Sequence, residues 1–264
     1  MHNFYLRNKN RILAGIGLLI GLAIWEVIGR LGLSPAFPPV TDVLGAVVEV
    51  WTSSRFLDAL KESMISVALA LPPSIVFGVI VGVLMGRYRA VEWALDPLVN
   101  VFLSLPLVAL IPVLFLIFGL GRGSILATIV IYTFFIVVVN TAVGVQTTDE
   151  RVVEMARSFG ANERQIVRRV VLPSALPLMF AGVRIAAGRA VRGVIIAEQV
   201  IGLIGLGGLV QRLGGAFAVE NLYAVILFVG LLGLVTMESV AFAERRALPW
   251  VASPDDSGAA LQGA

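Results

Sequence analysis

The chain has 264 residues, of which 58% are hydrophobic and 14% are charged, and its mean hydropathy is +0.95. Soluble domains are nearer half apolar and about a quarter charged, so this composition excludes an ordinary soluble domain and predicts a membrane protein. The formal net charge of +3 is explained by basic residues at one membrane face, and nucleic acid is not expected as a partner.

Six apolar segments approach the roughly 20 residues that a helix needs to cross a bilayer. They lie near residues 12–28, 64–86, 98–118, 124–146, 182–202 and 221–242. We therefore predict an all-α polytopic membrane protein with six transmembrane helices in one domain, residues 1–247, with its core at about 64–242. The small, polar and Pro/Gly-biased residues 248–264 are predicted to be a disordered cytoplasmic tail.

The distribution of arginine and lysine predicts the orientation. With the N-terminus inside, the cytoplasmic segments hold twelve of these residues and the outer segments hold five. Because basic residues concentrate on the cytoplasmic side, both termini are expected there.

The segment Glu150–Pro173 is a polar island with five arginines and three glutamates between apolar flanks. Such a segment cannot lie in lipid, so it is predicted to be a cytoplasmic loop between spans four and five. Thr147 and Glu150 have capping-box spacing, and Gly160 is placed to end the first short helix. Asn162 should cap a second helix that Pro173 closes, giving a helix-turn-helix elbow at the membrane surface.

The elbow resembles a known signature: Glu-Ala-Ala, three residues, Gly, nine residues, Ile, one residue and Leu-Pro. The positions that match it are Glu154, Met155, Ala156, Gly160, Val170, Leu172 and Pro173, with Met in place of the middle Ala and Val in place of Ile. This signature is that of the membrane-spanning permease subunits of bacterial ABC importers, and the resemblance covers roughly residues 12–246. Within this family the chain most resembles the nitrate, sulfonate and taurine class. Four segments carry this resemblance: SPAFPPV after span one, LDPL at Leu95–Leu98, LPLVALIPVLFLIFGLGRG from Leu105 and IIAE ending at Glu198.

The resemblance implies a permease whose first loop helix, the coupling helix, docks in a groove of a cytoplasmic ATPase. The implied partners are an ABC ATPase dimer, which binds ATP and Mg, a second permease subunit, more often an identical copy, and a periplasmic or lipid-anchored substrate-binding protein. Membrane lipid surrounds the chain, and no cofactor is expected in it. A sulfonate, taurine or nitrate anion is the expected substrate, while aromatic acids and vitamin precursors stay open.

Catalysis is not expected in this polypeptide. A phosphate-binding loop needs a Gly-Lys pair, and the two lysines, Lys9 and Lys61, do not follow glycine. The single histidine, His2, and the absence of cysteine leave no residues for a metal site or a nucleophilic dyad. A secondary transporter that works alone is the alternative, and it would need membrane-buried acids, for which Glu26, Glu198 and Glu238 are available.

Polar or helix-bending residues in spans three to five are candidates for the translocation path. They are Ser104, Pro106, Pro112, Asn140, Arg189, Arg192 and Glu198. The prolines bend span three and either line the path or serve packing, and Asn140 needs a polar lining or an interhelical hydrogen bond. Arg192 either pairs with an acid on another span or, with Arg189, borders the path and favours an anion. Glu198 is assigned a gating or a structural role.

The segment from Ser34 to Ser63 is predicted to form two short surface helices outside the membrane. After Thr41, a plausible cap, an amphipathic stripe consists of Val43, Leu44, Val47, Val48 and Trp51. This stripe either lies on lipid or receives the external binding protein.

Overall fold

The structure, a computed structural model, describes residues 2–202 and 204–248, with side chains from residue 12 onward. Within these residues every regular element is helical, which confirms the all-α prediction. The helices are α1 (His2–Arg30), α2 (Val40–Thr52), α3 (Ser54–Arg87), α4 (Arg89–Ser104), α5 (Leu107–Phe118), α6 (Arg122–Gln146), α7 (Glu150–Ser158), α8 (Glu163–Ile166), α9 (Leu172–Ile201), α10 (Gly205–Gly215) and α11 (Val219–Ala247), with a π-helical turn (Val167–Val171) between α8 and α9. The predicted tail lies, beyond Leu248, outside the described residues.

Five of the described helices are long and apolar enough to cross a membrane, and they contain five of the six predicted spans. The predicted span at 98–118 is not one helix, because α4 and α5 meet at an angle of 105°. Pro106 has no N–H to continue the helix and holds Leu105 in extended backbone (ψ 132°). The six-span count therefore holds with α4 and α5 taken together as one broken span.

Glycines let the central helices approach closely. Gly78, Gly82 and Gly86 on α3 face α6, and a Cβ atom added to Gly82 would lie 2.6 Å from the Thr141 Cβ atom. The α6 partners of the three glycines are Val137, Thr141 and Val145, in the same order along the chain, so α3 and α6 are parallel. In a membrane the hydrophobic effect does not hold helices together, because lipid tails are as apolar as the side chains. Small residues such as these glycines let the two helix backbones come close enough for van der Waals packing to do so.

Helix α9 lies antiparallel to both α6 and α11. Gly182 packs on Asn140 of α6, and Gly188 packs on Met237 of α11. The resulting bundle has two ends. The elbow end carries residues 147–171 and the last turns of α3, α6 and α11, and the far end carries α2, α10 and the first turns of the same three helices.

Helix α2 differs from its prediction. It begins at Val40, after Pro39, and Thr41 is not its cap but donates from its backbone N–H and its hydroxyl to Glu26. The buried residues are Val43, Ala46 and Val50, whereas Leu44, Val48 and Trp51 of the predicted stripe are more than half exposed. Helix α2 packs on α11 through Ala46 and Val50, and the exposed part of the stripe is left open for the lipid or the binding protein that is expected to contact it.

Candidate functional site

The elbow is formed by two short capped helices. Asp149 Oδ1, not Thr147, caps α7 by accepting a hydrogen bond from the Arg151 N–H at 2.9 Å. Thr147 instead ends α6, donating its hydroxyl to the Gly144 carbonyl at 3.1 Å. Gly160 turns the chain with φ of +80°, a conformation that favours glycine, as its predicted place at the helix end requires.

The second elbow helix is capped as predicted but does not end as predicted. Asn162 and Gln165 form a reciprocal capping box at 2.9 and 3.0 Å. Pro173 does not close the helix, because the π-helical turn Val167–Val171 leads directly into α9 and the chain stays helical through this proline. α8, the π-helical turn and α9 thus form a continuous helix of 39 residues, Glu163–Ile201.

Helix α7 presents two different faces. Val153 and Ala156 pack inward on a buried cluster that includes Ile166 and Val171. The outward face carries an exposed apolar row, which we call the α7 stripe: Val152 (40% exposed), Met155 (55%) and Phe159 (86%). Of the other family positions, Glu154 and Gly160 are exposed, and Val170, Leu172 and Pro173 are half-buried in the continuous helix.

One carboxylate ties the elbow to the bundle. Glu163 forms ion pairs with Arg87 at the end of α3 and with Arg157 of α7, the latter at 3.0 Å. The charged run from Glu150 to Arg169 lies outside the apolar part of the chain. The hydrogen bond from Arg87, and after it that from Arg157, lowers the pKa of the Glu163 carboxyl group.

A cleft of about 630 Å³ opens at the elbow end between α4, α6 and α7. Its lining includes Arg89, Glu92 and Trp93 of α4 and Glu150 of α7. Glu92 also accepts a hydrogen bond from Gln146 at 2.9 Å.

A second cavity lies at the break between α4 and α5, near the middle of α6 and α9. Leu105 and Leu107, which flank Pro106, line it with Tyr132 and Arg189. Its volume of about 20 Å³ holds roughly one water, so the space is closed to a larger molecule. The Arg189 guanidinium lies 5.4 Å from the centre of the Tyr132 ring.

The residues predicted to line the translocation path differ in their exposure and in their hydrogen-bond partners. Ser104 and Pro106 are exposed beside the small cavity, and Pro112 is exposed further along α5. Asn140 donates to the Ile136 carbonyl of its own helix at 2.8 Å, so the interhelical hydrogen bond allowed for it is not formed.

The arginines of α9 also have different partners. Arg192 donates to the Gly188 carbonyl at 3.3 Å, and among the described residues it has no acid partner. The ion pair between α9 and α11 joins Arg184 to Glu244 instead.

Glu198 is completely buried in a junction of three helices. The Ser63 hydroxyl donates to its Oε2 atom at 2.7 Å, and the Gly207 N–H donates to the same atom at 3.0 Å. The Leu206 N–H in turn donates to the Ser63 Oγ atom at 2.9 Å. A Cβ atom on Gly205 would lie 2.1 Å from the Glu198 Cδ atom, so only glycine lets α10 approach so closely. Sequence reasoning did not find Ser63, which it placed at the end of the predicted surface segment, next to Lys61 and Glu62.

The family model for the binding-protein-dependent transport system inner membrane component matches residues 74–248. The chain belongs to this family. The permease is accordingly a multi-pass protein of the inner membrane, as its composition and helices indicate.

Relatives support the subclass. The permease is 30% identical over 250 residues to the taurine transport system permease protein TauC of Escherichia coli, covering 92% of this chain and 91% of that one. It is 31% identical over 233 residues to the formylaminopyrimidine transport permease protein ThiX of Halalkalibacterium halodurans, covering 88% and 93%. Its fold is similar to a chain in a crystal structure of a bacterial alginate ABC transporter in complex with alginate pentasaccharide-bound periplasmic protein, with a TM-score of 0.61, 15% identity and coverage of 92% and 97%.

Proposed function

We propose that this ABC importer permease takes its motion from a cytoplasmic ATPase dimer that docks on the elbow, residues 150–173, and that it carries a small anion. The observation that carries the proposal is the α7 stripe. Val152, Met155 and Phe159 expose apolar side chains on a helix whose other residues are mostly charged. A row of apolar side chains at i, i+3 and i+7 outside the lipid is the pattern of a helix that docks in a groove.

The elbow is connected so that a displacement of α7 reaches the bundle. Glu163 links α7 to the end of α3, and Ala156 packs on the start of the continuous helix Glu163–Ile201. That helix is about 58 Å long at 1.5 Å per residue, and it reaches Glu198 at the far end. Rigid connections of this kind convert a local displacement into a movement of whole helices.

The remaining parts of the importer are proposed to lie in other subunits. ATP and Mg are bound by the ATPase dimer, so this permease is non-catalytic. A second permease, an identical copy, completes the path, and a periplasmic or lipid-anchored binding protein delivers substrate. One transmembrane domain spans residues 1–247, with both termini and the elbow in the cytoplasm.

The anion preference rests on Arg189 and Arg192. Arg189 lines the small cavity at the helix break, and Arg192 is exposed on the same helix without an acid partner among the described residues. The taurine relative is named for a sulfonate, and the formylaminopyrimidine relative keeps other substrates open. Uptake of a sulfonate that is unchanged in Arg192→Gln, with normal assembly, would contradict this role.

The coupling proposal is tested by purifying the tagged permease in mild detergent and measuring the ATPase that accompanies it. Phe159→Ser should lose most of the ATPase, because it removes the most exposed residue of the α7 stripe. The matched control is Phe217→Ser, since Phe217 is equally exposed (84%) but lies at the far end. Equal recovery in both variants would contradict docking on the stripe. Recovery of the permease alone, with uptake that does not depend on ATP, would favour a secondary transporter.

A further inference from the structure

Helix α4 has a polar flank that the proposed coupling mechanism does not use. At 100° per residue, five polar residues lie within an arc of about 120°, which they share with Leu103 and the exposed Trp93. The five polar residues are Arg89, Glu92, Asp96, Asn100 and Ser104, and we call them the α4 polar flank. The adjacent exposed flank is apolar and consists of Ala90, Ala94, Pro97 and Val101.

The polar flank is open rather than packed. Val99 is the one residue of α4 that is fully buried, and Asp96, Asn100 and Ser104 are exposed. Asn100 donates to the Asp96 Oδ2 atom at 2.9 Å, which satisfies only part of the polar atoms of this pair. Pro97 has no N–H, so the Trp93 carbonyl has no helical donor and adds another polar group at this surface.

Lipid cannot cover this flank without cost. An aspartate at the centre of a membrane helix costs about 2.5–3.5 kcal/mol on insertion scales, and Asp96, about 12 Å from Ser104 toward the elbow, should cost less than this but still disfavour acyl chains. The apolar flank of Ala94 and Val101 suits acyl chains, whereas Asp96 and Asn100 require water or protein.

The two ends of the polar flank lead to the two cavities described above. Arg89 and Glu92 line the elbow cleft, and Leu105, next to Ser104, lines the small cavity with Arg189. From Glu92 to Ser104 the helix rises about 18 Å, which is more than half of the hydrocarbon thickness. A continuous row of polar side chains therefore joins the mid-depth cavity to the elbow cleft.

We propose that the α4 polar flank lines the half of the translocation path that runs from Arg189 to the elbow cleft, in contact with water. The inference rests on the proposed function, since it assigns the exit route of the same permease. For an anionic substrate the order of charges is directional. The Arg189 cation attracts the anion at mid-depth, whereas Asp96 and Glu92, which lie nearer the cleft, repel it, so the acidic part of the flank does not hold a bound anion.

The absence of cysteine makes the test direct, because each single-cysteine variant carries one thiol. Asn100→Cys on the polar flank and Val101→Cys on the apolar flank are neighbours at nearly the same depth. Asp96→Cys and Ala94→Cys form a second such pair. A membrane-impermeant thiol reagent is applied to vesicles whose elbow side faces out, with Ser158→Cys as the control for access. A thiol in lipid stays protonated, and each unit by which its pKa is raised reduces the reactive thiolate tenfold.

We expect Asn100→Cys and Asp96→Cys to react at least about tenfold faster than their partners, for that reason. Equal rates within each pair would overturn the inference. So would an unreactive Asn100→Cys that forms a disulfide between two copies on oxidation, because the flank would then be a contact between permeases. The labelling needs no ATPase, so failure of the coupling proposal would appear separately, as loss of ATPase recovery with this labelling pattern intact.

Discussion

Replacing Ser63 by alanine should destabilise the permease through the Glu198 junction. Ser63 both donates to the Glu198 carboxyl group and accepts from the Leu206 N–H, so one hydroxyl joins α3, α9 and α10. Its loss removes a hydrogen bond worth about 0.5–3 kcal/mol and leaves a buried backbone N–H unpaired at about 1–3 kcal/mol. The two ranges sum to about 1.5–6 kcal/mol, and we expect a loss of stability in the middle of this range, about 2–4 kcal/mol.

Ser66→Ala is the matched control. Ser66 is buried to the same degree on the same helix, but its hydroxyl donates only to the Glu62 carbonyl one turn earlier. That carbonyl keeps its helical N–H partner, so nothing is left unpaired and the cost should stay below about 1 kcal/mol.

The assay is the apparent melting temperature of the purified permease in one detergent at one heating rate, because unfolding of such proteins is commonly irreversible. A loss of 2–4 kcal/mol corresponds to a decrease of roughly 5–12 °C for a chain of this size. If Ser63→Ala lowers the melting temperature no more than Ser66→Ala, the Glu198 junction does not stabilise the fold as argued.

Two further predictions concern the α3–α6 contact and the elbow. Gly82→Leu should cost about 1–3 kcal/mol or more, because its Cβ atom would lie 2.6 Å from the Val138 carbonyl oxygen. Gly230→Leu, with no neighbour within 4 Å, should leave the size-exclusion profile and melting temperature unchanged, and equal effects would refute the packing argument. Glu163 forms ion pairs with Arg87 and Arg157, and these partners lower the pKa of its carboxyl group. The ion pairs should therefore be intact at every pH above the ordinary glutamate pKa, and they should be lost only as the pH falls through the lowered pKa. A spin label at Ser158→Cys should gain mobility only at that lower pH, and in Glu163→Gln it should be mobile at every pH; a midpoint at or above the ordinary range would contradict the contact.

Local signals predicted part of the elbow. The capping box at Asn162 and the turn at Gly160 depend on residues within one helical turn, and both are present. Thr147 failed as a cap because Asp149, two residues nearer to α7, competes for the same N–H groups. Pro173 failed as a stop because the π-helical turn that precedes it carries the helix on into α9.

Contacts between distant parts of the chain were not accessible from the sequence. Ser63 and Glu198 are 135 positions apart, and a serine at the edge of a predicted span carries no sign of its partner. The bend at Pro106 was predictable in place, but its angle of 105° depends on how α4 and α5 pack on α6 and α9. The four-residue spacing of the polar residues in α4 was not used in the prediction, and its meaning depends on which side of the helix is open.

The glycine contact between α3 and α6 limits how the permease can change shape. Gly78, Gly82 and Gly86 place the two backbones so close that neither helix can slide or rotate against the other without steric overlap. Helices α3 and α6 should therefore move together as one rigid body throughout a transport cycle. Opening and closing of the path must then occur at contacts that are less tightly packed. The main one is the break between α4 and α5 at Leu105–Pro106, which lies directly against the closed cavity at Arg189.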